Sequence, residues 1–494
     1  MRNGTMAELK VICGSRQTVI QTEPGRRISD ILRAQGIGIV SPCGGRGVCG
    51  KCAVMLNGRV SPPGPAEQKA GVRLACQAVL QGDAEVILPR EQIMEGIELG
   101  SGSLTPVDPM DGPYGAAADI GTTTIALNLY DLKSGECLSR CGMPNPQTSV
   151  AADVMSRIGS AMAGGGELLR EQVSGGINTL LAQACSMAGI DGSRVGSMVC
   201  TGNTTMLYLL TGRDPSPLSH APFEADHLFD ETLTLFGRKT YLPPCMHAFV
   251  GADTTCAVLS SGLCGEKGTV LLCDVGTNGE IVLWKDGELL VTSTAAGPAF
   301  EGAGISCGCG SVRGAIDSVS LEDGELKVHV IGEENAAGIC GSGLIDAVAA
   351  ALETGIVDET GCMEEDYFEL SPAVRLLPAD IRAVQLAKAA IAAGIDTLLE
   401  DAGIRAGDID VFYIAGGFGS HLNTKSAAAI GLFPESLASR AIPLGNAALS
   451  GAAQLLLDRG AQKQAGEIAG RARHVNLGGD ARFNRNYMER MMFL

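Results

Sequence analysis

Four cysteines stand where they could hold a metal centre. The run reads Cys43-Gly-Gly-Arg-Gly-Val-Cys49-Gly-Lys-Cys52, and Cys76 follows after 23 residues. Four thiolates in one small domain can ligate a [2Fe–2S] cluster, here with a first gap one residue longer than the plant-type spacing. Bridging sulfides need hydrogen-bond donors, which the backbone N–H groups of a tightly curled loop supply. Gly44, Gly45, Gly47 and Gly50 permit that curl because glycine tolerates positive φ. A structural zinc site is the rival, but zinc ribbons pair two C-x-x-C knuckles, whereas Cys76 stands alone. The same glycines mimic a Rossmann turn and a phosphate loop. No strand-to-helix context surrounds them, and the cysteines already account for them.

A second chemistry is written twice. Asp119-Ile-Gly-Thr-Thr-Thr124 is echoed by Asp274-Val-Gly-Thr-Asn-Gly279, each followed by an apolar strand. A tight hairpin with glycine presents consecutive N–H groups to phosphate, and threonine hydroxyls add donors. The aspartate at the strand end can hold Mg²⁺ directly or through water. Two such turns facing each other would clamp a triphosphate, so Asp119 and Asp274 are candidate catalytic residues. Gly121, Thr122, Thr123, Thr124, Gly276, Thr277 and Asn278 are candidate phosphate binders. Cys200-Thr-Gly202-Asn203-Thr-Thr-Met206 should join a strand to a helix. Tyr413-Ile-Ala-Gly416-Gly417-Phe418-Gly419-Ser420 should end a buried strand in glycines that let a flat ring approach the backbone. Leu444–Ala452 should be a helix with one face of small residues, suited to close helix packing. This order matches the superfamily of actin, heat-shock chaperones and sugar kinases. The resemblance implies a duplicated ribonuclease-H-like ATPase that binds ATP with Mg²⁺. Gly308–Gly314 also reads as a Rossmann turn, but Ala295–Ser306 before it does not read as a strand.

These sites need elements to carry them. Leu9–Cys13 and Gln17–Gln21 suggest a hairpin around Gly14–Ser15. Ser29–Gln35 suggests a helix capped by Ser29, and Glu85–Leu88 a closing strand. Residues 91–113, rich in Gly, Ser and Pro, read as a linker. From 114 onward strands and helices alternate, with the clearest helix at Asp380–Ala402. The expected domains are therefore a [2Fe–2S] module at 1–90, a linker at 91–113, and ATPase lobes at 114–265 and 266–494. The fold class is α/β with an N-terminal α+β module of the β-grasp type.

Composition agrees and excludes other classes. The chain has 494 residues, a net charge of −18, 67 glycines, 17 cysteines and few aromatics. An acidic chain poor in stacking faces is a poor nucleic-acid binder. Charge is uneven, with +6 over residues 1–90 and −24 over the remainder. No signal peptide or membrane-spanning run is visible, and an odd cysteine count suits reduced thiols in the cytoplasm.

A ferredoxin joined to such an ATPase resembles the reductive activators of corrinoid proteins, which serve corrinoid methyltransferases and O-demethylases. Asn145-Pro-Gln147 with Ala152-Asp-Val-Met-Ser-Arg-Ile158, Gly297-Pro-Ala-Phe-Glu-Gly302 and Ile305-Ser-Cys-Gly308 look like strings of this family. The resemblance implies that Cys43, Cys49, Cys52 and Cys76 ligate the cluster, and that an electron passes to Co(II) of a corrinoid partner to regenerate Co(I). A plant-type centre sits near about −400 mV, and each ~59 mV of one-electron mismatch costs tenfold in equilibrium. ATP would offset that mismatch. The resemblance also implies a low-potential electron donor and a homodimer. The fold alone would equally permit a small-metabolite kinase or a redox-sensing regulatory ATPase. Glu280 and Glu301 are candidates for the general base. Cys307, Cys309 and Cys340 read as inert buried thiols, with a second cluster as the alternative.

Overall fold

The computed structural model describes residues 6–13, 16–34, 52–70, 72–88, 104–322, 324–417 and 422–493. Cys43, Cys49 and the glycines between them lie outside this set, as do the turn Gly14–Ser15, most of the linker, Phe418 and Gly419. The chain divides into two compact units, Met1–Ile93 with Pro144–Val173, and Met94–Met143 with Ser174–Leu494.

The N-terminal unit is built on a five-stranded sheet of β1 (Ala7–Cys13), β2 (Arg16–Thr22), β3 (Ala53–Val60), β4 (Arg73–Leu74) and β5 (Leu80–Leu88). Its order is β2-β1-β5-β3-β4, with β1 and β5 parallel at the centre. Alternation puts Leu9, Val11 and Val86 into the core with Ile28, Ile31 and Leu32 of the helix Ile28–Ala34. This is the β-grasp arrangement. Ser29 lies inside that helix rather than capping it, and its N–H donates to the Ala75 carbonyl at 2.9 Å. The expected strand at 85–88 is longer and starts at Leu80, because Leu80 and Ala84 continue the inward alternation.

Pro144–Val173 belongs to this unit and carries one of the family-like strings. Asn145 caps a short turn by accepting from the Gln147 N–H at 3.0 Å. Asp153 caps the helix Val154–Ser160. Arg157 is fully buried and donates to the Ala151 carbonyl and to Gln147 Oε1, each at 3.1 Å. Gln147 in turn donates to the Leu169 carbonyl at 2.9 Å. The string therefore locks its own backbone.

The second unit opens with β6 (Tyr114–Ile120), β7 (Thr124–Asp131), β8 (Cys137–Pro144), β9 (Val195–Gly202), β10 (Glu231–Leu235) and β11 (Arg238–Leu242). They form a sheet in the order β10-β11-β9-β6-β7-β8. Next come β12 (Val270–Val275), β13 (Gly279–Lys285) and β14 (Glu288–Thr294). Two small sheets follow, of β15 (Ala315–Glu322), β16 (Glu325–Val330) and β17 (Gly338–Ile339), and of β18 (Phe368–Ser371) and β19 (Val374–Leu376). Finally β20 (Val411–Ala415), β21 (Ala441–Gly445) and β22 (Ala472–His474) complete a second large sheet, β21-β20-β12-β13-β14-β22.

The two large sheets repeat one plan. The first strand pairs antiparallel with the second through a tight hairpin, β6 with β7 and β12 with β13. It pairs in parallel with a strand reached through helices, β9 and β20 respectively. This is the duplicated ribonuclease-H-like fold. The helices Ala252–Ser261 and Ala447–Leu457 pack at closest range, since a Cβ built on Gly451 would lie 2.1 Å from the Cys256 carbonyl oxygen. The helix expected at 380–402 runs from Pro378 to Asp401. The described end of the linker is tied to this unit, with Met110 buried and its N–H donating to the Leu456 carbonyl at 2.9 Å. No helix among the described residues is long and apolar enough to cross a membrane.

Candidate functional site

Two of the four expected cluster ligands are described, and they come together. Cys52 precedes β3 and Cys76 follows β4; both are buried, with sulfurs 3.2 Å apart. The Ala75 N–H donates to the Cys52 carbonyl at 2.9 Å, fixing the two segments side by side. Glu67 braces the approach to Cys76. It accepts from the Leu74 and Gly64 N–H groups and from Arg73 at 2.8–2.9 Å. Burial alone would raise its carboxyl; these donors outweigh that and hold it below the usual range. Two reduced, buried thiols this close fit two ligands of one iron.

The second site is a cleft in the larger unit, where the hairpin turns of the two large sheets face each other. Gly121, Thr122, Thr123 and Thr124 come from the β6–β7 turn, and Gly276, Thr277 and Asn278 from the β12–β13 turn. The Thr123 and Thr277 hydroxyls lie 3.3 Å apart, and both donate to Glu301, the latter at 2.8 Å. Asn203 caps the helix Thr204–Thr211 and donates to the Thr122 hydroxyl at 3.1 Å. Gly202 ends β9 beside β6, where a Cβ would lie 2.7 Å from the Ile120 carbonyl oxygen. Gly416 and Gly417 line the far wall. Gly416 has φ +113°, and a Cβ there would lie 2.4 Å from the Val275 carbonyl oxygen, so the position demands glycine.

Carboxylates converge on this cleft. Asp119, Asp253, Asp274, Glu280 and Glu301 all line it. Burial pushes Asp119 up to about 7; a 2.9 Å bond from the Asn446 amide opposes the rise and the charge of Asp253 adds to it. Asp274 is pushed up to about 7 by burial, then by Asp253, Asp119 and Glu301. Asp253 and Glu280 are also raised, chiefly by burial. Both aspartates of the turns keep an edge open to the cleft. Such a set favours a cation. The acids do not close into a metal cage among the described residues.

Several cleft residues were not legible in advance. Asp253, at the start of its helix, reads in sequence as an ordinary first-turn acid. Asn446 falls within the helix expected at Leu444–Ala452, but Leu444 and Gly445 end β21, and Asn446 caps the helix Ala447–Leu457. The string around Glu301 forms a short turn, Pro298–Glu301, that aims Glu301 at both threonines. Cys309, Gly310, Ser311, Cys340 and Gly341 form another wall. The glycines of Gly308–Gly314 thus serve a loop, with strand β15 following and no helix. Cys307 donates to the Arg375 carbonyl at 2.7 Å, and no second cluster cage appears among the described residues.

Comparison with known proteins shows the family. Residues 11–81 match the 2Fe-2S iron-sulfur cluster binding domain, 114–266 the RACo middle region, and 268–494 the C-terminal ASKHA domain of RACo. The corrinoid activation enzyme RamQ of Eubacterium limosum is 34% identical over 77% of this chain and 70% of its own length. The [Co(II) methylated amine-specific corrinoid protein] reductase of Methanosarcina barkeri is 27% identical over 76% of each. A solved reductive activator for corrinoid, iron-sulfur protein superposes with TM-score 0.72 at 28% identity, covering 98% of both chains. With a [2Fe–2S] module at one end and a nucleotide cleft between duplicated sheets, the chain belongs to the RACo family of corrinoid activation enzymes.

Proposed function

We propose that this protein uses ATP to drive one electron onto the cobalt of a corrinoid protein, converting Co(II) to Co(I). The observation that carries the reading is the pairing of a thiolate-held redox module with opposed phosphate turns in one chain. A metabolite kinase would leave the redox module without a role.

Cys43, Cys49, Cys52 and Cys76 would hold the [2Fe–2S] cluster, which supplies a one-electron relay. Gly121, Thr122, Thr123 and Thr124 would grip ATP phosphates from one side, and Gly276, Thr277 and Asn278 from the other. Asp119 and Asp274 would orient Mg²⁺-bound water and the attacking water. Gly416, Gly417, Phe418 and Gly419 would floor the adenosine pocket, with Gly202 and Asn203 supporting the first phosphate turn. Phosphoryl transfer needs little more than this positioning and charge stabilisation. Glu301 bridges both turns and is the better placed of the two base candidates. Lobe closure on ATP can move an uphill electron only if the closed form binds the corrinoid partner differently from the open form. A low-potential one-electron donor refills the cluster, and a homodimer is the assembly expected from the resemblance.

The test mixes holoprotein, a low-potential reductant and a Co(II) corrinoid protein, and follows the cobalt spectrum with and without ATP. Appearance of Co(I) only with hydrolysable ATP is expected. ATP-independent Co(I), or none with any corrinoid protein of a methyltransferase system, overturns the reading.

A further inference from the structure

Two thiols in the nucleotide cleft take no part in the chemistry above. Cys309 and Cys340 both line it, beside Gly310, Ser311 and Gly341. Gly308 bridges Ile339 in parallel register, and the Cys309 N–H donates to the Ile339 carbonyl at 2.9 Å. The next residues in that register are Cys309 and Cys340. Adjacent extended segments lie about 5 Å apart, inside the Cα separation of about 4.4–6.8 Å that a disulfide spans.

The side chains share a face. A Cβ built on Gly338 would lie 2.7 Å from Cys309 Sγ. Residues two apart in extended chain point the same way, and Cys340 is still extended at φ −92°, ψ 175°. The Cys309 sulfur therefore sits over the face that carries the Cys340 side chain, in room left by the missing side chain of Gly338. Both belong to one small packed group with Val312 and Ala315. Their reactivities differ usefully. Cys309 is partly exposed, whereas Cys340 is 1% exposed and caps the N-terminus of the helix Gly341–Glu353.

We propose that Cys309 and Cys340 form a reversible redox lock on the nucleotide cleft, closed by a low-molecular-weight disulfide. The Cys309 thiolate attacks one sulfur of the oxidant, forming a mixed disulfide and releasing one thiol. The Cys340 thiolate then attacks the Cys309 sulfur, forming the Cys309–Cys340 bond and releasing the second thiol. Two protein thiols lose two electrons and two protons, and one oxidant disulfide becomes two thiols. The new bond pins the 307–311 loop to the first turn of the helix Gly341–Glu353, narrowing the wall that faces the phosphate turns. The benefit rests on the proposed function: oxidants that drain a low-potential cluster would leave ATP hydrolysis driving nothing. The lock itself rests only on the thiol pair and the cleft.

The test treats anaerobic holoprotein with glutathione disulfide, maps disulfides by peptide mass, and measures ADP binding before and after. A Cys309–Cys340 cross-link with at least tenfold weaker ADP binding, restored by dithiothreitol, is expected. C309S should keep its own starting affinity through the same treatment, whereas C340S should stop at the Cys309–glutathione mixed disulfide, read by peptide mass. Absence of the cross-link, a cross-link that leaves ADP affinity unchanged, or equal loss in both serine variants overturns the lock. If reduced protein binds no ADP, the nucleotide reading fails instead, and the cross-link is then judged by peptide mass alone.

Discussion

Asp274 shows what burial does to a phosphate-site acid. Its carboxyl titrates near 7 in the folded chain against an ordinary 3.8. The folded state therefore holds more protons between about pH 4 and pH 7. Metal-free protein should lose stability as pH rises through that window. Asp274→Asn removes this penalty. It should stabilise nucleotide-free, metal-free protein on the order of 2 kcal/mol at pH 8 and much less at pH 4, measured by denaturant unfolding at both values. The same substitution should cut ATP hydrolysis on the order of 10²-fold or more. A variant that is less stable at pH 8, or that hydrolyses ATP normally, would remove Asp274 from its assigned place.

At the scale of elements, the helix pair Ala252–Ser261 and Ala447–Leu457 positions Asp253 and Asn446 over the cleft. Its closeness depends on Gly451. Gly451→Val would drive side-chain atoms into the Cys256 carbonyl and should cost at least about 1–3 kcal/mol, lowering the melting temperature and ATP affinity together. Gly175→Ala is the contrast: it lies inside the helix Gly166–Ala188 with nothing within 4 Å, and should gain up to about 1 kcal/mol. The hairpin turns were readable because Asp-x-Gly-Thr is local chemistry, complete within six residues. The cysteine loop was readable for the same reason. Asp253, Asn446 and the Cys309–Ser311 wall reach the cleft only through tertiary packing, so no spacing in the sequence announces them. Likewise nothing local says that Pro144–Val173 packs with the N-terminal unit, since its caps and its buried Arg157 look like those of any helix.

The whole molecule separates charge along the chain, with +6 over residues 1–90 and −24 beyond. A basic module carrying the redox centre is a natural target for long-range steering toward acidic surfaces. Raising ionic strength from about 0.05 to about 0.5 M should slow electron delivery several-fold at limiting partner concentration, since the screening length shrinks below 10 Å. Stopped-flow rates that ignore salt would remove steering from the account. The Thr123–Glu301–Thr277 bridge across the cleft has a further consequence. If the Thr123 and Thr277 hydroxyls turn to ATP phosphates, as proposed above, they leave Glu301, and part of the affinity for ATP is spent rearranging contacts between the lobes. By thermodynamic reciprocity, any partner that favours the rearranged lobes tightens ATP by the same factor that ATP tightens the partner. The corrinoid protein would then act as its own nucleotide-affinity regulator, matching ATP occupancy to the supply of oxidised cobalt.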